Sequence, residues 1–216
     1  MNSNSVSYKI AAAAFAATGI IAILYWIVHP LADDGPSMVR DEAYWSLRAG
    51  AWAINANLLL FIFMLVSLVG CFTLAPVLRE RAQPLAALSL VGVVPGHMLL
   101  AAAGIFNAYV ATALAADPAT RDLLALSGPL LGGPLHGAFG LGGLLFYGGY
   151  LCLAASLKRA GLIGWPTALA FVPAAAAVSL HPMLPPLVRL VGFAIFGLAC
   201  LRVAVACWRR ANSDGA

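Results

Sequence analysis

Charged side chains are scarce in this sequence. Only 9% of its 216 residues are Asp, Glu, Lys or Arg, whereas 62% are hydrophobic, and the mean hydropathy is +0.94. Soluble domains contain about 25% charged residues, so the few charges here cannot coat a water-soluble particle of this size. The composition excludes the soluble globular and disordered classes. It predicts one all-α integral-membrane domain over residues 1–216.

Cysteines and buried acids are scarce as well. The four cysteines lie in apolar runs without a CxxC or Cys/His spacing, which argues against a disulfide framework and predicts no metal site. No Asp or Glu lies within a long apolar run, which disfavours proton-coupled pumps and carboxylate-based membrane enzymes. The net charge of +4 is ascribed to the loops, and no nucleic-acid partner is predicted. The cysteines are Cys71, Cys152, Cys200 and Cys207.

Long apolar runs are abundant, and their lengths predict the architecture. A helix needs about 20 apolar residues to cross the roughly 30 Å hydrocarbon core. Six segments are long enough, so the sequence predicts a polytopic transmembrane helical bundle. The predicted spans are about 8–28, 51–74, 85–114, 130–157, 163–180 and 187–208, with outer loops at about 29–50, 115–129 and 181–186.

The distribution of Lys and Arg predicts the orientation. Cytoplasmic loops carry the excess of these residues, and an inside N-terminus places eight of them inside and four outside. We therefore expect both termini in the cytoplasm and a multi-pass protein of the bacterial inner membrane. The eight are Lys9, Arg79, Arg81, Lys158, Arg159, Arg202, Arg209 and Arg210; the four are Arg40, Arg48, Arg121 and Arg189.

The first two outer loops carry signals of short helices. Trp45, Arg48 and Trp52 share one helical face, which predicts a helix at the outer interface that turns into the second span. Asp117-Pro118 is typical of a helix start and Ser127-Gly128 of its end.

Two histidines within the spans are candidate functional residues. His97 follows Pro95-Gly96, which predicts a kinked helix near the middle of the membrane. His136 lies on a stripe of small residues, so we expect it to face the bundle interior. Each histidine either contacts a ligand or makes a structural hydrogen bond, and the sequence leaves both possibilities open. The stripe comprises Gly133, His136, Gly140, Gly143 and Tyr147.

Other polar residues concentrate toward the outer leaflet. Asn55 and Asn107 lie in the outer halves of their spans, and Arg189 lies near the outer end of the last one. With His136 and His97, they predict a ligand-binding cavity that opens outward. Interhelical hydrogen bonding explains the asparagines equally well, and Arg189 either binds an anionic group at the cavity mouth or snorkels outward.

A haem needs two inward axial ligands at matching depth. His97 is central whereas His136 lies in the outer half, and His29 and His181 lie at the membrane boundary. No cofactor is therefore predicted.

The C-terminal part resembles a known family. His136-Gly137 opens a glycine-rich helix that contains Phe146-Tyr147-Gly148-Gly149-Tyr150-Leu151, and residues 158–166 form a basic hairpin before two final spans. This pattern, over about the last 80 residues, resembles the bacterial six-helix membrane proteins of domain of unknown function family four-three-eight-six. Pro166 comes later than that family's pattern places it. The resemblance implies six spans and no particular activity.

These observations favour a binding protein over an enzyme. The prediction is a multi-pass inner-membrane protein that binds a small or lipophilic molecule, or a protein partner, in an outer-leaflet cavity, with the lipid bilayer as its surroundings. The alternatives are a membrane enzyme on lipid or isoprenoid substrates with His97 or His136 as general base, and a small transporter or export subunit. No catalytic residue is assigned, and the oligomeric state stays open.

Overall fold

The computed structural model describes residues 3–28, 41–124, 128–130, 133–180 and 184–213. These residues are helical and contain no strand, which confirms the all-α class. His29, His181 and Ser127 lie outside the described residues. The α-helices are α1 Ser3–Val28, α2 Glu42–Ala49, α3 Ala51–Ile105, α4 Thr112–Ala116, α5 Pro134–Arg159, α6 Trp165–Ser179 and α7 Pro186–Ser213, with a π-helix at Phe106–Ala111 and a 3₁₀ helix at Arg121–Leu124.

Within the described residues, four helical segments are long and apolar enough to cross a membrane. They are Asn4–Tyr25, Ala51–Ala116, Pro134–Arg159 and Pro186–Ser213. The helix α6 is apolar but has only 15 residues. These lengths and compositions fit a membrane-embedded protein.

The longest of these segments doubles back on itself. Ala82 has a non-helical backbone (φ −146°, ψ 40°), and Pro84 follows, where it removes a backbone donor and restricts the preceding residue. The break divides α3 into arm 1, residues 51–81, and arm 2, residues 83–105. The arms are antiparallel, because a Cβ on Gly104 would lie 3.1 Å from the Asn57 carbonyl oxygen.

Neighbouring helices close the bundle into a ring. In order around the ring, α1 packs on arm 1, arm 2 on α5, α5 on α6, and α6 on α7. The ring closes between the first and last helices, where the Ser5 hydroxyl donates to the Ala211 carbonyl (3.1 Å). All Lys and Arg residues predicted to be cytoplasmic therefore lie in one half of the bundle, the half that holds the turn at Ala82.

Aromatic rings fill the centre of the bundle. Phe196 of α7 contacts the rings of Phe63, Phe146, Tyr150 and Phe171, with centroid separations of 5.0–5.9 Å. These side chains come from arm 1, α5 and α6, and each is fully buried. Edge-to-face and tilted contacts of this kind add to the area buried.

Glycine lets arm 2 approach α5 closely. A Cβ on Gly149 would lie 2.5 Å from the Val93 nitrogen, and one on Gly96 would lie 2.5 Å from the Phe146 nitrogen. Backbone atoms cannot move aside as a flexible side chain can, so only glycine fits at these positions.

The buried face of α5 differs from the predicted stripe. Gly142, Phe146 and Gly149 face the bundle, whereas Gly140 has no neighbouring atom within 4 Å of a Cβ position. The true face is rotated by about 100°, one helical residue, from the predicted one. The prediction holds for Gly143, which is buried and where a Cβ would lie 2.9 Å from the Ser179 carbonyl oxygen of α6. It is wrong for His136 and Gly140, which are exposed, because the core took the two large aromatic rings, Phe146 and Tyr150.

The glycine contact yields a stability prediction with a neighbouring control. Gly149→Ala should lower the free energy of unfolding by about 1–3 kcal/mol, because it forces backbone apart. At Gly148 a Cβ would meet nothing within 4 Å, so Gly148→Ala should be neutral or stabilising by up to ~1 kcal/mol. Thermal unfolding in one detergent measures both variants. Equal midpoints would contradict the close contact.

Candidate functional site

His97 is fixed inside the bundle by its own helix. Its Nδ1 lies 2.7 Å from the Val93 carbonyl oxygen, and a carbonyl can only accept a hydrogen bond. Nδ1 must therefore carry the proton, which makes Nε2 of the neutral ring an acceptor. Nε2 points to arm 1, where the Ser67 hydroxyl lies 3.0 Å away.

Tyr150 of α5 completes this polar cluster. Its hydroxyl forms a hydrogen bond with Ser67 Oγ and lies 3.5 Å from His97 Nε2. With Nε2 as acceptor, Ser67 donates to His97 and Tyr150 donates to Ser67. Three helical segments, arm 1, arm 2 and α5, are thus joined by one chain of hydrogen bonds that ends at the Val93 carbonyl.

The surroundings of this cluster are dry and aromatic. His97 is 1% exposed, Ser67 and Tyr150 are 0% exposed, and the Phe146 ring lies 5.0 Å from the His97 ring. A serine beside a histidine acceptor is the arrangement that general-base activation of a hydroxyl requires. A substrate would have to reach these atoms through closed packing, so the geometry favours an interhelical joint.

The stability of the interhelical joint formed by His97, Ser67 and Tyr150 should depend most on Ser67. Ser67→Ala leaves the His97 acceptor and the Tyr150 hydroxyl without their shared partner, and should destabilise by about 1–3 kcal/mol. Tyr150→Phe leaves the Ser67–His97 hydrogen bond intact and should lower the free energy of unfolding by only about 0.5–1.5 kcal/mol. Tyr147→Phe, on the same helix and only partly buried, serves as control in thermal unfolding. The account fails if Ser67→Ala costs no more than Tyr147→Phe.

The predicted interface helix forms, but it is separate from the second span. The Asp41 side chain caps α2 by accepting a hydrogen bond from the Tyr44 amide (2.9 Å). Gly50 has an extended backbone (φ −81°, ψ 158°), which ends α2 before α3 begins. Trp52 therefore lies on α3, and the prediction that it shares one helical face with Trp45 is wrong. Arg48 of α2 donates to the side-chain oxygen of Asn107 (2.8 Å) in the π-helix.

A salt bridge holds α2 to the second outer loop. Both Nη atoms of Arg121 contact the two carboxylate oxygens of Glu42 at 2.6 and 2.9 Å, and the Arg121 guanidinium stacks over the Trp45 ring at 5.5 Å. The hydrogen bond from Arg121 lowers the pKa of Glu42 below its ordinary 4.5. The same contact raises the pKa of Arg121, so the pair is fully charged at neutral pH.

The pair predicts a pH-dependent attachment of α2. Because the pKa of Glu42 is lowered, the attachment is present at neutral pH and is lost as the pH falls through that lowered value, below 4.5. At neutral pH, Glu42→Gln should speed hydrogen exchange in residues 42–49, and the difference from wild type should vanish in acid. Asp122→Asn removes an equal charge and should change little. Identical exchange in wild type and Glu42→Gln at neutral pH would refute the attachment.

Asn55 lines a surface groove on arm 1. The groove has a volume of about 350 Å³ and is lined by Trp52, Asn55, Ala56 and Leu59. These residues recur at helical spacing on one face, so the groove runs along the end of arm 1 that is remote from Ala82. The described residues of its lining combine an indole ring, one amide and two aliphatic side chains, and none of them is charged.

Two predicted cavity residues lie elsewhere. His136 is exposed near the start of α5, so its predicted inward orientation is wrong. The cause is the rotation of the buried face of α5 relative to the predicted face. Arg189 is only 1% exposed. It is buried one turn from Phe193, which packs on Tyr25 of α1, and it does not snorkel outward.

The structure therefore distributes the five predicted site residues among separate places. His97 belongs to the central joint, Asn107 to the contact with α2, Asn55 to the groove, Arg189 to the outer core and His136 to an exposed face. Ser67, Tyr150 and Arg121 were missed as partners. Ser67 alone carried a signal, a hydroxyl in the apolar run of residues 58–72.

No protein-family model, curated protein or solved structure matches this chain. The resemblance to family four-three-eight-six remains a prediction. Functional inference rests on the chain's own residues.

Proposed function

We propose that this chain is a six-span membrane protein, with both termini in the cytoplasm, that binds an uncharged amphiphile in the outer groove. Arms 1 and 2 supply the second and third spans, since each is long enough to cross the hydrocarbon core. The helix α6, about 22 Å long at 1.5 Å per residue, supplies the fifth and shortest span. The resemblance of the C-terminal part supports the same number of spans.

The orientation is supported by the end of the bundle at which the cations gather. Eight Lys and Arg residues lie in the half of the bundle that contains Ala82, against the single acid Glu80 among the described residues there. Loops rich in Lys and Arg favour the cytoplasmic side of the membrane. The proposed location is the inner membrane of a bacterium, with the cap formed by α2 and Arg121 on the outer face.

The groove lined by Trp52 and Asn55 is the observation that carries the proposed ligand. Tryptophan concentrates at the membrane interface, and the side chain of Trp52 is 55% exposed. The uncharged side chains of the four described lining residues favour an uncharged head group over a phosphate. The Asn55 amide can donate to a hydroxyl or an ester carbonyl and can accept from a hydroxyl, while Leu59 and the exposed Ile62 continue as an apolar track for a tail.

A binder is better supported than an enzyme. An enzyme using His97 would need access to Nε2, yet His97 and Ser67 are enclosed by packed helices. Among the hydrogen bonds of the described residues, His136 takes part through its backbone amide, which donates to the Gly133 carbonyl, and its imidazole ring has no acid–base partner there. A transporter role has no supporting contact in the described residues.

Photolabelling tests the groove. A long-chain alcohol with a photoreactive diazirine and an alkyne tag is irradiated with the purified protein, and the labelled residues are mapped by mass spectrometry. Label should concentrate on residues 51–62. Asn55→Leu should reduce it about twofold to tenfold, as expected for loss of one hydrogen bond of about 0.5–1.5 kcal/mol.

The control is Thr73→Val, which also replaces a polar side chain on arm 1 but at its inner half. It should leave the labelling unchanged. Labelling spread evenly over lipid-facing residues, or equally reduced by both variants, would overturn the proposed binding site.

A further inference from the structure

We propose that the two inner turns of the bundle form a binding site for an anionic phospholipid, with preference for a head group that carries two phosphates. The site consists of Arg79, Arg81, Lys158 and Arg159, here called the basic turn patch. It lies at the opposite end of the bundle from the outer groove and depends only on the chain being embedded in a membrane.

The first step is that two turns distant in sequence touch. The Arg81 Nη1 donates to the Ala160 carbonyl oxygen (3.3 Å). This bond connects the reversal at Ala82 with the turn between α5 and α6. Cations from residues 79–81 and from residues 158–159 are thereby brought into one patch.

The second step is that the turn after α5 is rigid. Gly161 has a positive φ of 74°, a conformation that favours glycine. The Leu162 amide donates to the Leu157 carbonyl (3.0 Å) and the Gly161 amide to the Lys158 carbonyl (3.1 Å). This pair of bonds is the Schellman motif, and it fixes the direction in which Lys158 and Arg159 leave the helix.

The third step is charge. The patch holds four cations, and Glu80 is the acid within its two turns. Arg79, Arg81 and Arg159 are exposed, so they can reach a ligand in the head-group layer. The surplus of three positive charges exceeds what one phosphate neutralises, which is why a head group with two phosphates fits better.

The fourth step is depth in the membrane. Lys158 Nζ lies 5.0 Å from the centre of the Trp165 ring, and that ring is 63% exposed. An exposed tryptophan at the end of an apolar helix marks the level of the lipid head groups. Toward the membrane centre the exposed side chains turn apolar, with Leu88 and Val91 on arm 2 and Leu169 on α6. These surfaces suit acyl chains, which favours a lipid over free phosphate.

Native mass spectrometry with added lipid tests the proposal. Cardiolipin, phosphatidylglycerol and phosphatidylcholine are titrated separately into the intact protein in detergent. Wild type should retain cardiolipin most strongly and phosphatidylcholine least, and added salt should weaken the cardiolipin complex. Equal retention of cardiolipin and phosphatidylcholine by wild type would overturn the proposal without any variant.

A pair of charge-matched variants locates the site. Arg79→Gln/Lys158→Gln/Arg159→Gln removes three patch cations and retains Arg81, which holds the turns together. Lys9→Gln/Arg202→Gln/Arg209→Gln removes three exposed cations elsewhere in the same half of the bundle. The first should weaken cardiolipin retention at least about tenfold, and the second less than about threefold. Equal losses, or no loss in either variant, would contradict a local site.

Discussion

The reversal of the chain at Ala82 is the constraint on which the rest of the structure depends. A continuous helix over residues 51–116 would be about 100 Å long, far longer than a bilayer is thick. The non-helical backbone at Ala82 instead folds two arms together and sets their register. Ser67 then lies opposite His97, and Asn57 lies opposite Gly104. The same reversal places Arg81 against the turn that follows α5.

Polar side chains in this bundle serve different purposes at different depths. At the centre, His97, Ser67 and Tyr150 satisfy one another in a dry environment, where an unpaired polar atom would be costly. At the outer end, Arg48 and Arg121 attach a short amphipathic helix to the body of the bundle. The groove at Asn55 and the basic turn patch lie at opposite ends, and we propose an uncharged ligand for the first and an anionic lipid for the second.

The sequence predicted the helices well, because hydrophobic length is a property that each segment carries by itself. The break between arms 1 and 2 was also predictable, since Arg79, Arg81 and Pro84 interrupt two apolar runs. The interior faces were harder. In a membrane, apolar residues suit both lipid and core, so hydrophobicity does not reveal which side of α5 is buried. The choice of Phe146 and Gly149 over His136 and Gly140 depends on the shape of arm 2.

The candidate site was less predictable than the fold. His97 was recognised as a polar residue in an apolar segment, but its partners Ser67 and Tyr150 come from distant parts of the chain. Asn107 pairs with Arg48 across 59 residues, and no local pattern specifies that contact. Arg189 was expected at a cavity mouth or in the head-group layer, because long cationic side chains commonly extend outward. It is buried inside the bundle instead.

The distance between the ends of the folded segment tests the reversal most directly. Spin labels at Ala51→Cys and Ala113→Cys, both exposed positions, are placed in a protein whose four native cysteines are replaced by alanine and which is embedded in lipid nanodiscs. Adjacent antiparallel helices have axes about 8–10 Å apart, so double electron–electron resonance should give a distance between the two spin labels below about 25 Å. A distribution centred beyond about 50 Å, approaching the roughly 90 Å of a straight helix, would contradict the fold and the sites derived from it.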